Sequence, residues 1–263
     1  HHIWLNEGFA SYCEALWAEH LGSTPAYRSY MAAMSYWSGG RIYIDDTTDV
    51  WNIFSSRVYD KGAWVLHMLR GVLGDAVFFD DLRTYYGHPD CQYKDAVTED
   101  FRDIAESVSG VDLDEFFNDW IYGYYYPQYV SSWFAEPVGD GNYDIFVHLR
   151  QAQMTTPQVF DLPVEMQISG ASASMIVRDW NSAREYDYRF TVRFAPIGIT
   201  IDPRNWILDN SSAEVYGIHI INNSLTTGGQ YTPYRDSIFA KGGTGEYTYT
   251  YAIIAGSLPT GLT

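Results

Sequence analysis

The sequence predicts a multidomain chain, α-helical first and β-stranded after, and three observations carry that reading. Apolar residues recur at three- and four-residue intervals from Ile3 to about Pro127, the period of an amphipathic helix. Beyond that point they alternate, the period of a strand with one buried face. The change of period falls near residues 128–135, and a third segment, richer in glycine and tyrosine, begins near Ile218. The domains expected are residues 1–130 (helical), 131–217 (antiparallel β-sandwich) and 218–263 (part of a further β domain). With 46% hydrophobic and 19% charged residues, such a chain has enough apolar surface to bury a core.

Leu5, Phe9, Tyr12 and Leu16 define the buried stripe of the first helix, and Gly22 sits where a left-handed C-terminal cap is expected. Thr24-Pro25 restarts a helix, Thr24 as N-cap and Pro25 in the first turn, where its missing N–H does no harm. A third helix is expected from Tyr59 to about Leu73, ending at Gly74. Thr98-Glu99-Asp100 opens a fourth, with acids at the positive end of its dipole, and Gly110 closes it. Asp112 with Glu115 reads as a capping box for a last helix that passes Trp120 and stops at Gly123.

The strands follow in the same way. Ile145, Val147 and Leu149 alternate with Phe146, His148 and Arg150, and Val164, Met166 and Ile168 alternate with Glu165 and Gln167. Tyr188, Phe190, Val192 and Phe194 form a third run, and Ile197, Ile199 and Ile201 a fourth. Turn clusters such as residues 138–142 separate them, which predicts antiparallel pairing and a small sandwich. Tyr247 to Tyr251 reads as one more strand, flanked by Gly242-Gly243-Thr244-Gly245.

Several function classes are excluded early. Sixteen basic residues against 33 acidic ones give a formal charge of −17, which repels phosphate backbones and anionic membranes. No apolar run reaches the roughly 20 residues of a membrane helix. Cys13 and Cys91 are the only cysteines; they form no metal motif, and sequence does not decide whether they pair.

The chemistry begins with Glu7. A carboxylate between Leu5 and Phe9 near a helix start is ordinarily solvated or capping. Glu14, about two turns on, shares its face, and paired acids of this kind can hold a metal and orient a neighbouring ligand, although two exposed acids would look the same. The run Asn6-Glu7-Gly8-Phe9-Ala10-Ser11-Tyr12 resembles the aminopeptidase N family of gluzincin zinc peptidases. Downstream, Val58-Tyr59-Asp60-Lys61-Gly62-Ala63 resembles the same family's Tyr-x-Lys-Gly-Ala element, and residues 112–121 its stretch at the end of the catalytic domain.

The resemblance implies that Glu7 is the third protein ligand of one catalytic Zn2+. It also implies that Glu14 hydrogen-bonds a zinc-bound histidine, and that Tyr59 donates to the oxyanion of the tetrahedral intermediate. Residues 1–130 would then be the helical C-terminal half of a thermolysin-like catalytic domain. Gln151-Ala152-Gln153, Phe160-Asp161-Leu162-Pro163-Val164 and Ile201-Asp202-Pro203 fit the β domain that follows it in this family. Residues 242–245 and 257–262 are similar to the immunoglobulin-like repeats of bacterial surface and secreted proteins, which implies a secreted, periplasmic or cell-surface setting and a possible protein partner for the tail. About forty residues fall short of the roughly 100 such a domain needs.

One departure stands out. No His-Glu-x-x-His occurs in the 263 residues, so two zinc histidines, the general-base glutamate and the amine-binding loop are expected upstream of His1. His1 and His2 do not replace them, because adjacent helical residues point about 100° apart. His67, His88, His148 and His219 read as ordinary surface or core histidines. The expectation is a fragment of a zinc aminopeptidase acting on peptide substrates and inactive by itself. Two rival readings are a non-catalytic relative that keeps the scaffold for protein association, and an extracellular β-rich binding module.

Overall fold

The computed structural model describes residues 1–214 and the short strand pair His219–Ile220 and Ala240–Lys241. Seven α-helices come first: α1 Trp4–Leu21, α2 Thr24–Ala33, α3 Val50–Ile53, α4 Gly62–Leu73, α5 Asp75–Gly87, α6 Thr98–Ser109 and α7 Asp114–Phe117. Wider π-helical turns precede α4, at Arg57–Lys61, and follow α7, at Asn118–Tyr122. Strands β1 Gln128–Gly139, β2 Asn142–Gln151, β3 Leu162–Gly170, β4 Ser174–Asn181, β5 Glu185–Val192, β6 Pro196–Ile201 and β7 Asn210–Ala213 follow, and β8 and β9 are the short pair.

The apolar stripe of α1 buries Trp4, Gly8, Tyr12 and Ala15 against α4, which has scarcely an exposed residue from Gly62 to Arg70. Aromatic rings fill the space between helices. Trp4, Phe9, Tyr85, Phe101 and Phe117 meet mostly edge to face, with centroids 4.9 to 6.5 Å apart.

The strands form a four-stranded sheet in the order β5-β2-β1-β7 and a three-stranded sheet in the order β4-β3-β6. Ile145, Val147 and Leu149 from one, and Val164, Met166 and Ile168 from the other, are fully buried in a core continuous with that of the helices. Asp140 and Gly141, with φ of 51° and 75°, make the tight β1–β2 turn, in the left-handed conformation that a two-residue hairpin needs.

Several local expectations need correction. Gly22 is not a left-handed cap: its φ is −117°, and a Cβ there would lie 2.9 Å from the Ala26 Cβ, so glycine is required for the close passage of α2. Ser23, not Thr24, precedes α2 and makes no side-chain cap. The third helix starts earlier than Tyr59 and as a π turn. Asp112 accepts the Asp114 N–H at 3.1 Å, but Leu113 is the residue at the N-cap, so no capping box forms with Glu115. Helix α5 lacks an amphipathic pattern that would predict it, because Asp80 and Asp81 interrupt its apolar spacing. The sandwich is mixed rather than wholly antiparallel, since β7 runs parallel to β1 from Gln128↔Asn210 to Ser131↔Ala213. The expected strand Tyr247 to Tyr251 and the immunoglobulin-like segment lie outside the described residues.

The sandwich is joined to the helices by polar and aromatic contacts. Arg178 donates to the Gly71 and Val72 carbonyls that end α4, at 2.7 and 3.1 Å. The Asp161 N–H donates to Asp119 at 3.1 Å, and Trp120 packs on Phe160 with centroids 4.7 Å apart. Gln151 exchanges both hydrogen bonds with the Phe160 backbone, at 2.8 and 2.9 Å, and so pins the β2–β3 connection.

Candidate active site

Glu7 lies in the first turn of α1, one residue before Gly8, whose face is buried. Gly8 is buried for a steric reason. A Cβ on it would lie 2.8 Å from the Gly62 carbonyl carbon, and a Cβ on Gly62 would lie 2.9 Å from the Gly8 Cα. No side chain larger than hydrogen fits at either position without parting the elements, so α1 and the start of α4 cross backbone against backbone. Each glycine belongs to one of the two sequence motifs, and their contact brings Glu7 together with Tyr59, one turn before Gly62.

Tyr59 sits in the π turn Arg57–Lys61, a form that recurs at functional sites because its extra residue redirects side chains. Val58 and Lys61 turn inward and are buried, whereas Tyr59 stays half-buried and packs on the edge of the core. Burial, and then the charge and hydrogen bonding of the Glu7 carboxylate, push the Tyr59 phenol above its usual pKa. The phenol therefore keeps its proton at neutral pH and is available as a donor.

Lys61, 1% exposed, carries its ammonium into the interior, where Nζ donates to the Gly40 carbonyl at 3.1 Å. Burial, reinforced by the neighbouring Arg57, lowers its pKa to about 7. This contact fixes the long connection between α2 and α3 from one side. The Ile42 and Tyr43 N–H groups hold it from the other, both donating to the Ile121 carbonyl at 3.0 and 3.1 Å.

Glu14 is exposed and accepts from the Tyr30 hydroxyl at 2.5 Å, on a surface shared with exposed Trp17 and Leu21. His1 and His2 are both engaged away from Glu7. His1 Nδ1 donates to the Ile44 carbonyl, and His2 Nδ1 accepts the Thr98 N–H at 3.1 Å. Glu7 itself is a half-buried carboxylate, and neither His1 nor His2 turns toward it. Among the described residues, the acids and histidines that converge closely enough for a metal are Glu106, Asp112 and Asp114, and Glu7 is not with them.

Motif reading missed the glycine contact, the Lys61 anchor and a buried role for His67. The signal for the first was present: a glycine follows Glu7 directly, and another follows Lys61. His148, read as ordinary, faces Asp187 across β2 and β5 at 2.8 Å.

Comparison with known proteins places this geometry in context. Residues 1–120 match the family described as Peptidase family M1 domain. Aminopeptidase M1-D of Oryza sativa subsp. japonica is 31% identical over 137 residues, which covers 48% of this chain and 15% of that protein. Membrane alanyl aminopeptidase of Heliothis virescens is 30% identical over 174 residues, 61% of this chain and 17% of that protein. The chain thus spans less than a fifth of the length of these curated relatives. The crystal structure of Legionella pneumophila aminopeptidase A in complex with aspartic acid shares the fold, with a TM-score of 0.67 over 81% of this chain and 24% of that one, at 17% identity.

Proposed function

We propose, from the match of residues 1–120 to the Peptidase family M1 domain, that this chain contributes the Glu7–Tyr59 half of a zinc-dependent aminopeptidase site that removes N-terminal residues from peptides. The observation that carries the reading is the glycine-to-glycine crossing, which sets a half-buried carboxylate beside a half-buried phenol whose pKa burial and that carboxylate both raise. Glu7 would be one protein ligand of the metal. When bound, zinc would polarise the scissile carbonyl and acidify a water molecule. Tyr59, protonated at neutral pH, would donate to the oxyanion, a contact typically worth about 3–4 kcal/mol in the transition state. Lys61 would hold the α2–α3 connection in place behind it.

The two histidine ligands and the general base would come from residues outside these 263, since one carboxylate does not hold zinc. By this reading, residues 1–263 alone bind no zinc and hydrolyse nothing. Glu14 would orient one of the zinc-bound histidines, supported by its place two turns along from Glu7. An extracellular setting and a terminal immunoglobulin-like repeat belong to the same proposal, supported by the similarity at residues 242–245 and 257–262. Among the described residues no helix is long and apolar enough to cross a membrane.

Zinc content tests the ligand assignment. The full-length protein should hold about one zinc per chain, and Glu7→Ala should lose it while keeping its helical circular dichroism. A wild-type protein without zinc, or a Glu7→Ala variant that keeps it, would overturn the proposal.

A further inference from the structure

A chain of buried polar groups runs from α1 to the sandwich, and its centre is His67. The ring is 1% exposed, in α4, between Trp64 with centroids 5.0 Å away and Trp206 stacked at 4.9 Å. Its Nε2 lies 2.8 Å from the Asn205 carbonyl oxygen. A carbonyl only accepts, so Nε2 carries the proton and Nδ1 does not. Nδ1 then accepts from the Tyr27 hydroxyl at 2.5 Å, and the Tyr27 oxygen in turn accepts from the Tyr12 hydroxyl at 2.9 Å. Every donor points the same way, from α1 through α2 to α4, and α4 itself donates to the sandwich.

Both ends of this chain bear on the candidate site. Tyr12 is on the helix of Glu7, a turn and a half further along, and α4 continues directly from the π turn of Tyr59. The sandwich end is stiff: Asn205 has φ of 53° and donates to the Asp202 carbonyl at 2.9 Å, and the Asp202 carboxylate accepts the Trp206 and Ile207 N–H groups at 2.9 and 2.7 Å. Two cations face the chain, and Arg70 acts on both tyrosine hydroxyls. Arg70 lies over the Tyr27 ring while bound to Glu19 and Asp75, and Arg28 lies over Trp206. Burial lowers the His67 pKa to about 4, so the ring stays neutral through the physiological range and the direction of the chain is fixed.

We infer that His67 is a positioning residue: through Tyr27 and Tyr12 it ties the Glu7 helix, and through its own helix the Tyr59 turn, to the sandwich backbone at Asn205. The spacing of Glu7 and Tyr59 is then set partly by a contact with the β domain rather than by the helices alone. The inference takes its catalytic meaning from the proposed function, but its test does not require activity.

In the 263-residue chain, carbon-13 labels on the tyrosine Cζ and glutamate Cδ atoms report the surroundings of Tyr59 and Glu7, with assignment by Tyr59→Phe and Glu7→Gln. Nitrogen-15 histidine should show His67 protonated at Nε2 and unchanged from pH 8 to pH 5. His67→Leu should shift both the Tyr59 and Glu7 signals at pH 7, and His67→Gln, which keeps a donor and an acceptor, should restore part of the shift. Tyr12→Phe keeps the ring and so the fold, and should move the Glu7 signal without disturbing the Asn205 contact. Loss of stability in these variants with both site signals unmoved would overturn the inference, as would an Nδ1–H tautomer. A full-length protein without zinc or hydrolysis would refute the proposed function and leave these spectra as they are.

Discussion

Replacing Gly8 with alanine tests the packing that brings the two halves of the site together. The new Cβ would stand 2.8 Å from the Gly62 carbonyl carbon, against an ordinary carbon contact of about 3.5–4.0 Å. The obstacle is backbone and cannot rotate aside, so α1 and α4 must part by about 0.7–1.2 Å, which thins the contacts around Trp4 and Gly8. Overpacking of this kind costs about 1–3 kcal/mol, here toward the upper end, and alanine's helix propensity returns about 1 kcal/mol, for a net loss of about 2 kcal/mol. Urea titration followed by tryptophan fluorescence reads the difference as a lower midpoint at unchanged slope. Gly62→Ala should behave alike, and the double variant should lose less than the sum, because a gap opened once accommodates both methyl groups. Gly87→Ala, with nothing within 4 Å of its Cβ, is the control and should gain up to about 1 kcal/mol. A Gly8→Ala protein as stable as wild type, or strictly additive losses in the double variant, would refute the reasoning.

Two further predictions concern buried carboxylates. Asp81 is fully buried with neither oxygen hydrogen-bonded, and burial raises its pKa to about 7. Below about pH 4 it is protonated whether the chain is folded or not, so its ionisation adds no cost; as pH rises from 4 to 7 only the unfolded chain releases the proton, so stability falls and stays lower above 7. Asp81→Leu should therefore stabilise by roughly 2–4 kcal/mol at pH 8 and by much less at pH 4, seen as a pH-dependent gap between the two melting curves. Equal gaps at both pH values would show that Asp81 is ionised or hydrated in the fold. Asp202, at φ of 43°, caps two N–H groups; Asp202→Ala should cost about 2–3 kcal/mol, and Asp202→Asn, which tolerates that backbone, about half as much. Equal melting temperatures for wild type and Asp202→Ala would contradict this.

Much of the helical architecture is legible in the sequence because its periodicity and its stops agree. The spacing of α1, the stop at Gly74 and the left-handed Gly110, φ 70°, each follow from local chemistry. Helix α5 is not legible, because the Asp81 carboxylate stands at a core position that pattern reading assigns to solvent. Parallel pairing of β7 is a tertiary event: residues 210–213 are exposed along the whole strand and show no alternation of burial. For the candidate site, motifs single out Glu7 and Tyr59 separately, but the reason they meet lies in two hydrogens, those of Gly8 and Gly62, that no hydropathy pattern records. The His67 chain was hidden for a related reason. A lone histidine among apolar residues reads as bland until Tyr27, itself bonded to Tyr12, and Asn205 are seen to bond its two ring nitrogens from separate parts of the chain.

The central claim is that Tyr59 and Glu7 serve different roles in one reaction, Glu7 as metal ligand and Tyr59 as oxyanion donor. It is tested most directly by measuring kcat for an aminoacyl arylamide and zinc content together in full-length Tyr59→Phe. The account predicts zinc retained near one per chain and kcat reduced about 100-fold or more, the usual consequence of removing an oxyanion donor. A variant that keeps kcat within about threefold of wild type, or that loses its zinc along with its activity, would contradict the account.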